Sequence, residues 1–319
     1  MNFCFIGAGA IARIIMRDME SLEGCRLVSV VSRNGESAKS LAGQYGGRAC
    51  ASVNEALSCP GVDVAYISST NDLHYEHTIA ALGEGLAVLC EKPFAINRSQ
   101  ALEMVELAKV KGLYLAEGMW TRHNPVIKKA LSWIFDGRIG NIRNFRVSFA
   151  SPSDAPPEHR LMNPRLGGGS LLDIGVYGVA FAQMIMDIAP VSVCAAAEMT
   201  VSGVDGQCAL TLRYPGGAIG RVFSSLTAPE SNDAVIFGEN GEIRIPAFWN
   251  PSKSELITPN GTECFEHPDM GYRPQLEAIL SDLQAGRREN ALVTHKFTLE
   301  VMDILDKARE CITSRHSEL

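Results

Sequence analysis

"FCFIGAGAIA", residues 3–12, decides the fold. "NFCFIG" (2–7) reads as a strand. Gly7-Ala8-Gly9-Ala10-Ile11-Ala12 follow at once, and "AIARIIMRDMES" (10–21) has helical spacing. The pattern is G-x-G-x-x-A between a strand and a helix. Gly7 permits a tight turn, Gly9 lets a backbone approach a pyrophosphate, and Ala12 lets helix and strand pack closely. The helix start, at Ala10 and Ile11, offers free N–H groups and a positive dipole end to an anion. Such a motif is weak alone and gains weight from its context; "CRLVSVVS" (25–32) supplies the second strand that a dinucleotide site requires.

Outward from this turn, the alternation continues. "ESAKSLAGQYG" (36–46) reads as a helix with a glycine stop, "VDVAYISS" (62–69) as a strand and "HYEHTIAALGEG" (74–85) as a helix. "LAVLCE" (86–91), "RSQALEMVELAKVKG" (98–112) and "LYLAEG" (113–118) complete the series. Strands this apolar, separated by helices, predict a doubly wound parallel sheet covered on both faces. Beyond about residue 140 the pattern changes. "IRNFRVSFA" (142–150) alternates, a glycine run leads into the apolar helix "SLLDIGVYGVAFAQMIM" (170–186), and residues 191–266 read as successive strands. Asn240-Gly241 marks a hairpin turn. Helices are expected at about 272–285 and 295–313. The reading is an α/β protein with an N-terminal domain over 1–120 and a second domain over 121–319, whose last helix packs back on the first.

Composition narrows the function. The chain has 319 residues, 46% hydrophobic and 20% charged, with a net charge of -7. That balance argues against a general nucleic-acid or anionic-membrane surface. No uncharged apolar run reaches the roughly 18 residues of a membrane span. No signal peptide is evident at the N-terminus. The nine cysteines contain no C-x-x-C pair; they are expected to be reduced core residues of a cytoplasmic protein. His74 and His77 are three apart, but no acid–His or Cys cluster of metal-ligand spacing accompanies them, so no metal is expected.

The cofactor's phosphate state is legible at "VVSRNGE" (30–36). A site for NAD carries an acid about 20 residues after the turn, on the ribose 2′-OH. Here Ser32 and Arg33 stand there, and no acid appears until Glu36. A hydroxyl and a guanidinium suit a 2′-phosphate, so NADP is expected over NAD.

Four segments, "GAGAIA" (7–12), "CEKP" (90–93), "EGMWTRHNP" (117–125) and "GGGSLLDIGVYGV" (167–179), occur together at this spacing. With them the chain resembles the glucose–fructose oxidoreductase / inositol dehydrogenase family of NAD(P)-dependent sugar and polyol dehydrogenases. Trp120, Arg122 and "LLDIGVY" look most like its dimeric dihydrodiol dehydrogenases, which also oxidise D-xylose with NADP. The resemblance implies a Rossmann domain followed by an α+β domain on a large, mostly antiparallel, open-faced sheet that forms a homodimer. It implies a sugar, polyol or cyclic diol as the small-molecule substrate. It differs from its nearest relatives at His123-Asn124, where aromatic residues are usual, and at Asn71-Asp72 after Thr70.

The resemblance names Lys92 as the catalytic lysine. Lys92 closes a strand at the carboxyl edge of the parallel sheet, where ligands bind, and Pro93 restricts its backbone. Its ammonium would stabilise an alkoxide, and Glu91 would accept at the nicotinamide ribose or hold Lys92. Tyr177 is the expected general acid/base. Asp173, four residues earlier on the same helix, would orient Lys92 or bind a substrate hydroxyl. Gly175 and Gly178 in that helix suggest a close neighbour. Ser69, Thr70, Asn71, His74, Trp120 and Arg122 are expected to line the cofactor, and His123, His159 and Arg160 the substrate. A reductase running in reverse, a cofactor-retaining enzyme and a non-catalytic nucleotide sensor are the alternatives; a sensor has no need of the Lys92, Asp173 and Tyr177 set.

Overall fold

The structure, a computed structural model, describes residues 1–316. The chain forms two compact units. The first holds Met1–Trp120 and Met270–Thr298; the second holds Thr121–Asp269 and the chain from Leu299 onward.

In the first unit, six parallel strands alternate with helices: β1 (Asn2–Ile6), α1 (Ala10–Glu20), β2 (Arg26–Val31), α2 (Gly35–Tyr45), β3 (Arg48–Ala49), α3 (Val53–Leu57), β4 (Val64–Ile67), α4 (His74–Gly83), β5 (Ala87–Glu91), α5 (Arg98–Lys111) and β6 (Leu115–Gly118). The strand order is β3-β2-β1-β4-β5-β6, every pair parallel. This is the doubly wound arrangement expected, with the order reversing beside β1. Phe3, Phe5, Ile15, Leu41 and Tyr66 are buried in its core, with Phe5 and Tyr66 ring centroids 4.7 Å apart. The short β3 and α3 lie where glycine and small residues hide any period.

The second unit carries α6 (Pro125–Phe135), β7 (Ile142–Ala150), α7 (Val176–Met186) and then β8 (Ser192–Met199), β9 (Asp205–Arg213), β10 (Ile219–Ser225), β11 (Asp233–Gly238), β12 (Glu242–Pro246), β13 (Lys253–Thr258) and β14 (Gly261–Glu266). They form one eight-stranded sheet, ordered β14-β13-β12-β11-β7-β10-β9-β8. It is antiparallel except at the parallel β7–β10 pair. Helices α6 and α7 pack on one face. Strand β9 shows the consequence: Gly206, Cys208, Leu210 and Leu212 are buried, while Ala209, Thr211 and Arg213 point outward and are exposed. One face is thus covered and the other open. Asn240-Gly241 does lie in the β11–β12 hairpin, but the loop closes through Gly238 N–H to Gly241 O at 2.8 Å. Neither residue takes a positive φ, so it is not the two-residue primed turn that the dipeptide favours.

Pro164–Met186 is long and apolar enough to cross a membrane by length and composition alone, but 94% of its apolar window is buried within the protein. It is a core element. The chain ends with α8 (Arg273–Gln284), in the first unit, and α9 (His295–His316). All nine cysteines are free thiols.

Candidate active site

Parallel strands deliver their following residues to one edge. The strand order therefore sets Ser32 and Arg33 after β2, Gly7 to Ala10 after β1, Ser69 to Asn71 after β4, Lys92 after β5 and Trp120 after β6 along that edge in sequence. Gly7 has φ +113°, and a Cβ there would collide with the Ser68 carbonyl oxygen. Only glycine fits the turn. Gly9 is extended and starts α1 with no side-chain cap and no acid in the first turn. A Cβ added at Gly9 meets nothing within 4 Å. Unclaimed N–H groups at a helix start, under open space, fit a dinucleotide pyrophosphate. Ala12 is fully buried, as close helix–strand packing requires. Ile11 is partly buried against the core.

At the second strand's end Ser32 is half-buried and Arg33 exposed. Asn34 caps α2 by accepting from the Glu36 and Ser37 N–H groups. Glu36 sits in that helix's first turn and pairs with Lys39 at 2.9 Å, its side chain 82% exposed. The nearest acid is thus engaged in solvent, and the donor set at 32–33 fits a 2′-phosphate. After β4, the Ser69 hydroxyl meets His77 Nδ1 at 2.9 Å, Asn71 is buried, and Thr70 Oγ1 is buried without a partner among the described residues.

Lys92 is half-buried, and the Lys92–Pro93 peptide is cis. Beneath it lie two acids on neighbouring strands, Cys90 pairing with Glu117 and Glu91 with Gly118 in the β5–β6 register. Glu91 is 5% and Glu117 3% exposed. The Tyr66 hydroxyl donates to Glu91 Oε1 at 2.8 Å. The Thr298 hydroxyl donates to Glu117 Oε2 at 2.7 Å, and the Phe94 backbone N–H also donates to that carboxylate. Burial pushes Glu91 up from 4.5 to about 7, against the Tyr66 bond, the Lys92 charge and the Lys92 backbone N–H. Burial likewise pushes Glu117 up to about 7, helped by the Glu91 charge and opposed by Lys92. A Cβ at Gly118 would lie 3.1 Å from Glu91 Oε1, so glycine there makes room for this acid. Sequence reasoning passed over Glu117. Its only sequence signal is a carboxylate inside an otherwise apolar strand.

Two of the residues expected at the cofactor, His74 and Trp120, are buried. His74 is 1% exposed and both ring nitrogens face backbone carbonyls; it is sealed in rather than lining a cleft. Trp120 is also buried, its ring centroid 4.5 Å from that of Tyr272.

In the second unit, Asp173 is 7% and Tyr177 6% exposed. Arg160 Nη1 donates to Asp173 Oδ1 at 2.6 Å. The structure brings these two expected residues together as an ion pair, with Arg160 the exposed partner. Tyr177 packs edge-on against Phe149, centroids 5.6 Å apart, and Phe149 stacks on Trp249 at 4.2 Å. Leu171–Gly175 is a π-helical turn leading into α7. Asp173 lies in this turn and Tyr177 in the first turn of α7; such turns recur at functional sites. The close neighbour that Gly175 and Gly178 implied is β10: Cβ atoms there would lie 2.9 Å from Ser224 Oγ and 2.6 Å from Val222 Cγ1. Arg122 is partly buried, which lowers its pKa against the pull of Asp187. His123 is 1% exposed. His159 is exposed, its Nδ1 accepting from the Leu161 N–H at 3.3 Å.

Asp205 is the anchoring residue of this unit that local sequence hides. It accepts from Leu171 N–H at 2.6 Å and from the Ser170 hydroxyl at 2.8 Å, tying down the start of the helix that carries Asp173 and Tyr177. A Cβ at Gly169, which has φ +113°, would collide with Asp205 Oδ1. Burial pushes the Asp205 carboxyl up, and these two hydrogen bonds oppose the shift.

A parallel sheet with a pyrophosphate turn, a lysine at its carboxyl edge and a separate unit on an open sheet together define a nucleotide-dependent oxidoreductase. Residues 1–119 match the oxidoreductase family with an NAD-binding Rossmann fold, and residues 127–244 match the GFO/IDH/MocA C-terminal domain. The trans-1,2-dihydrobenzene-1,2-diol dehydrogenase of Mus musculus is 29% identical, over 98% of this chain and 97% of its own. That of Xenopus laevis is 30% identical, over 89% of each. A 3-ketoreductase from Actinomadura kijaniata, solved with NADP and TDP-benzene, superposes with a TM-score of 0.90 at 24% identity, over 98% of both chains. The chain belongs to the GFO/IDH/MocA family of NAD(P)-dependent oxidoreductases.

Proposed function

We propose that this protein is an NADP-dependent dehydrogenase or reductase acting on a hydroxyl-bearing carbon of a sugar, polyol or cyclic diol. The observation that carries it is the row along one sheet edge: Ser32 and Arg33, then the Gly7–Gly9 turn, then the Ser69–Asn71 loop, then Lys92. The first pair would hold a 2′-phosphate, the turn a pyrophosphate, and Lys92 marks the reacting end. NADP, when bound, supplies the hydride acceptor or donor. The rest is work for the chain's own residues. Lys92 offers a positive charge to the substrate oxygen, stabilising it as an alkoxide forms. Tyr177 takes the hydroxyl proton in oxidation and returns it in reduction. Asp173, fixed by Arg160, orients a polar partner.

Relatives named for a cyclic diol and for keto reduction support this substrate class. The free thiols support a reducing compartment such as the cytoplasm. The open face of the eight-stranded sheet supports a homodimer: Thr211 and Ile219 point outward there without cover.

A panel of aldoses, polyols and cyclic diols, followed by NADPH absorbance, tests the reading. Turnover of at least one class, lost by ~100-fold in Lys92→Met with NADP binding kept, is the expected result. Wild-type turnover in Lys92→Met on the true substrate would overturn it.

A further inference from the structure

His74 opens α4 and is 1% exposed. Its two ring nitrogens meet two main-chain carbonyls: Nδ1 lies 2.7 Å from Pro93 O and Nε2 lies 3.2 Å from Ser69 O. Pro93 directly follows Lys92, and Ser69 opens the loop after β4. The backbone beyond Lys92 is thus gripped twice, because the next N–H, that of Phe94, goes to Glu117. Pro93 has no N–H of its own, and its buried carbonyl needs a donor.

A neutral imidazole has one N–H and cannot donate to both carbonyls. Burial, with the charges of Lys92 and His77, pulls His74 down to about 4, although both carbonyls pull the other way. Near neutral pH the ring is therefore uncharged. Its single proton belongs on Nδ1, at the shorter contact, leaving Nε2 with only a lone pair toward Ser69 O. The Lys92 turn is held firmly. The Ser69 loop keeps its side-chain hold from His77 but no donation from His74.

We propose that His74 is a positioning residue for Lys92, acting through an Nδ1–H bond to Pro93 O. This rests on the reading of Lys92 as catalytic. It uses no contact between His74 and substrate or cofactor.

The test compares His74→Phe, His74→Gln and His74→Asn in the full-length protein. Asparagine places an amide N–H close to the position of Nδ1; glutamine reaches toward that of Nε2; phenylalanine has neither. Misplacing a reacting group by about 1 Å costs up to ~100-fold. His74→Phe and His74→Gln should lower kcat ~10- to 100-fold, with NADP Kd by fluorescence titration changed only a few-fold. His74→Asn should regain part of that loss. Adding His74→Phe to Lys92→Met should cost little more than Lys92→Met alone, since both act through one ammonium. If His74→Phe fails to fold, the Gln–Asn comparison carries the same test. Unchanged kcat in His74→Gln, no advantage for Asn over Gln, or a loss confined to NADP Kd would each overturn the proposal. Lys92→Met run in parallel separates the two ideas: if it turns over like wild type, the Lys92 reading fails first. If it is slow while the His74 variants are fast, only the positioning role fails.

Discussion

Replacing Glu117 by glutamine should remove a pH dependence that is built into the first unit. In the folded protein this carboxyl is raised from 4.5 to about 7, chiefly by burial. The folded state therefore holds a proton that the unfolded chain releases as pH climbs from 4.5 to 7. Unfolding then releases protons in that window, so stability falls as pH rises through it and is fullest below the unfolded value. The interval corresponds to a loss on the order of 3 kcal/mol. Glutamine cannot ionise. Its amide oxygen still accepts from Thr298 and Phe94, while its NH₂ takes the place of Oε1, which has no partner among the described residues. That unmet donor costs about 1–3 kcal/mol at every pH. The absolute stability of the variant is thus a poor readout, and the slope is the informative one. Urea unfolding of wild type and Glu117→Gln between about pH 5 and pH 8 measures it. Wild type should lose stability across the range, and the variant should lose distinctly less, with Glu91 left to titrate. Parallel slopes would refute the buried, proton-holding state assigned to Glu117.

Arg33→Ala should weaken NADP binding ~10- to 100-fold, the loss of a charge-assisted contact, and leave NAD nearly unchanged; titration with both cofactors checks it, and equal effects on the two would place the guanidinium in solvent. Tyr177→Phe should cut turnover ~100-fold or more and remove one limb of the pH–rate profile; an unchanged profile would move the proton to another group. Asp205→Ala strips the acceptor from Leu171 N–H and Ser170 and should lower the melting temperature as well as kcat, with NADP affinity kept; loss of cofactor binding instead would contradict its placement. Light scattering at micromolar concentration should give a dimer, and Thr211→Glu with Ile219→Glu on the open face should shift it toward monomer.

What could be read from the chain was local. The Gly7–Ala12 turn is decided by residues within ten positions, and each glycine's reason was steric, so the turn and the doubly wound sheet followed from sequence. The Asp173–Tyr177 helix was equally visible as an apolar run interrupted by glycines. Its π-helical turn was not, since nothing in Leu171–Gly175 distinguishes one wide turn from an α-helical one until Asp205 and β10 press on it. Asp205 and Glu117 escaped for the same reason. Their partners lie far along the chain, Leu171 34 residues from Asp205 and Thr298 181 from Glu117, and no local period announces a contact across such a span. His74 shows the subtler failure. Its position after a ligand-facing strand suggested a wall of the cleft, yet only the fold reveals that each ring nitrogen faces a main-chain carbonyl. Residue types at strand ends show where chemistry is placed. Which of them touch ligand and which hold the others still is set by burial, and burial is a property of the whole fold.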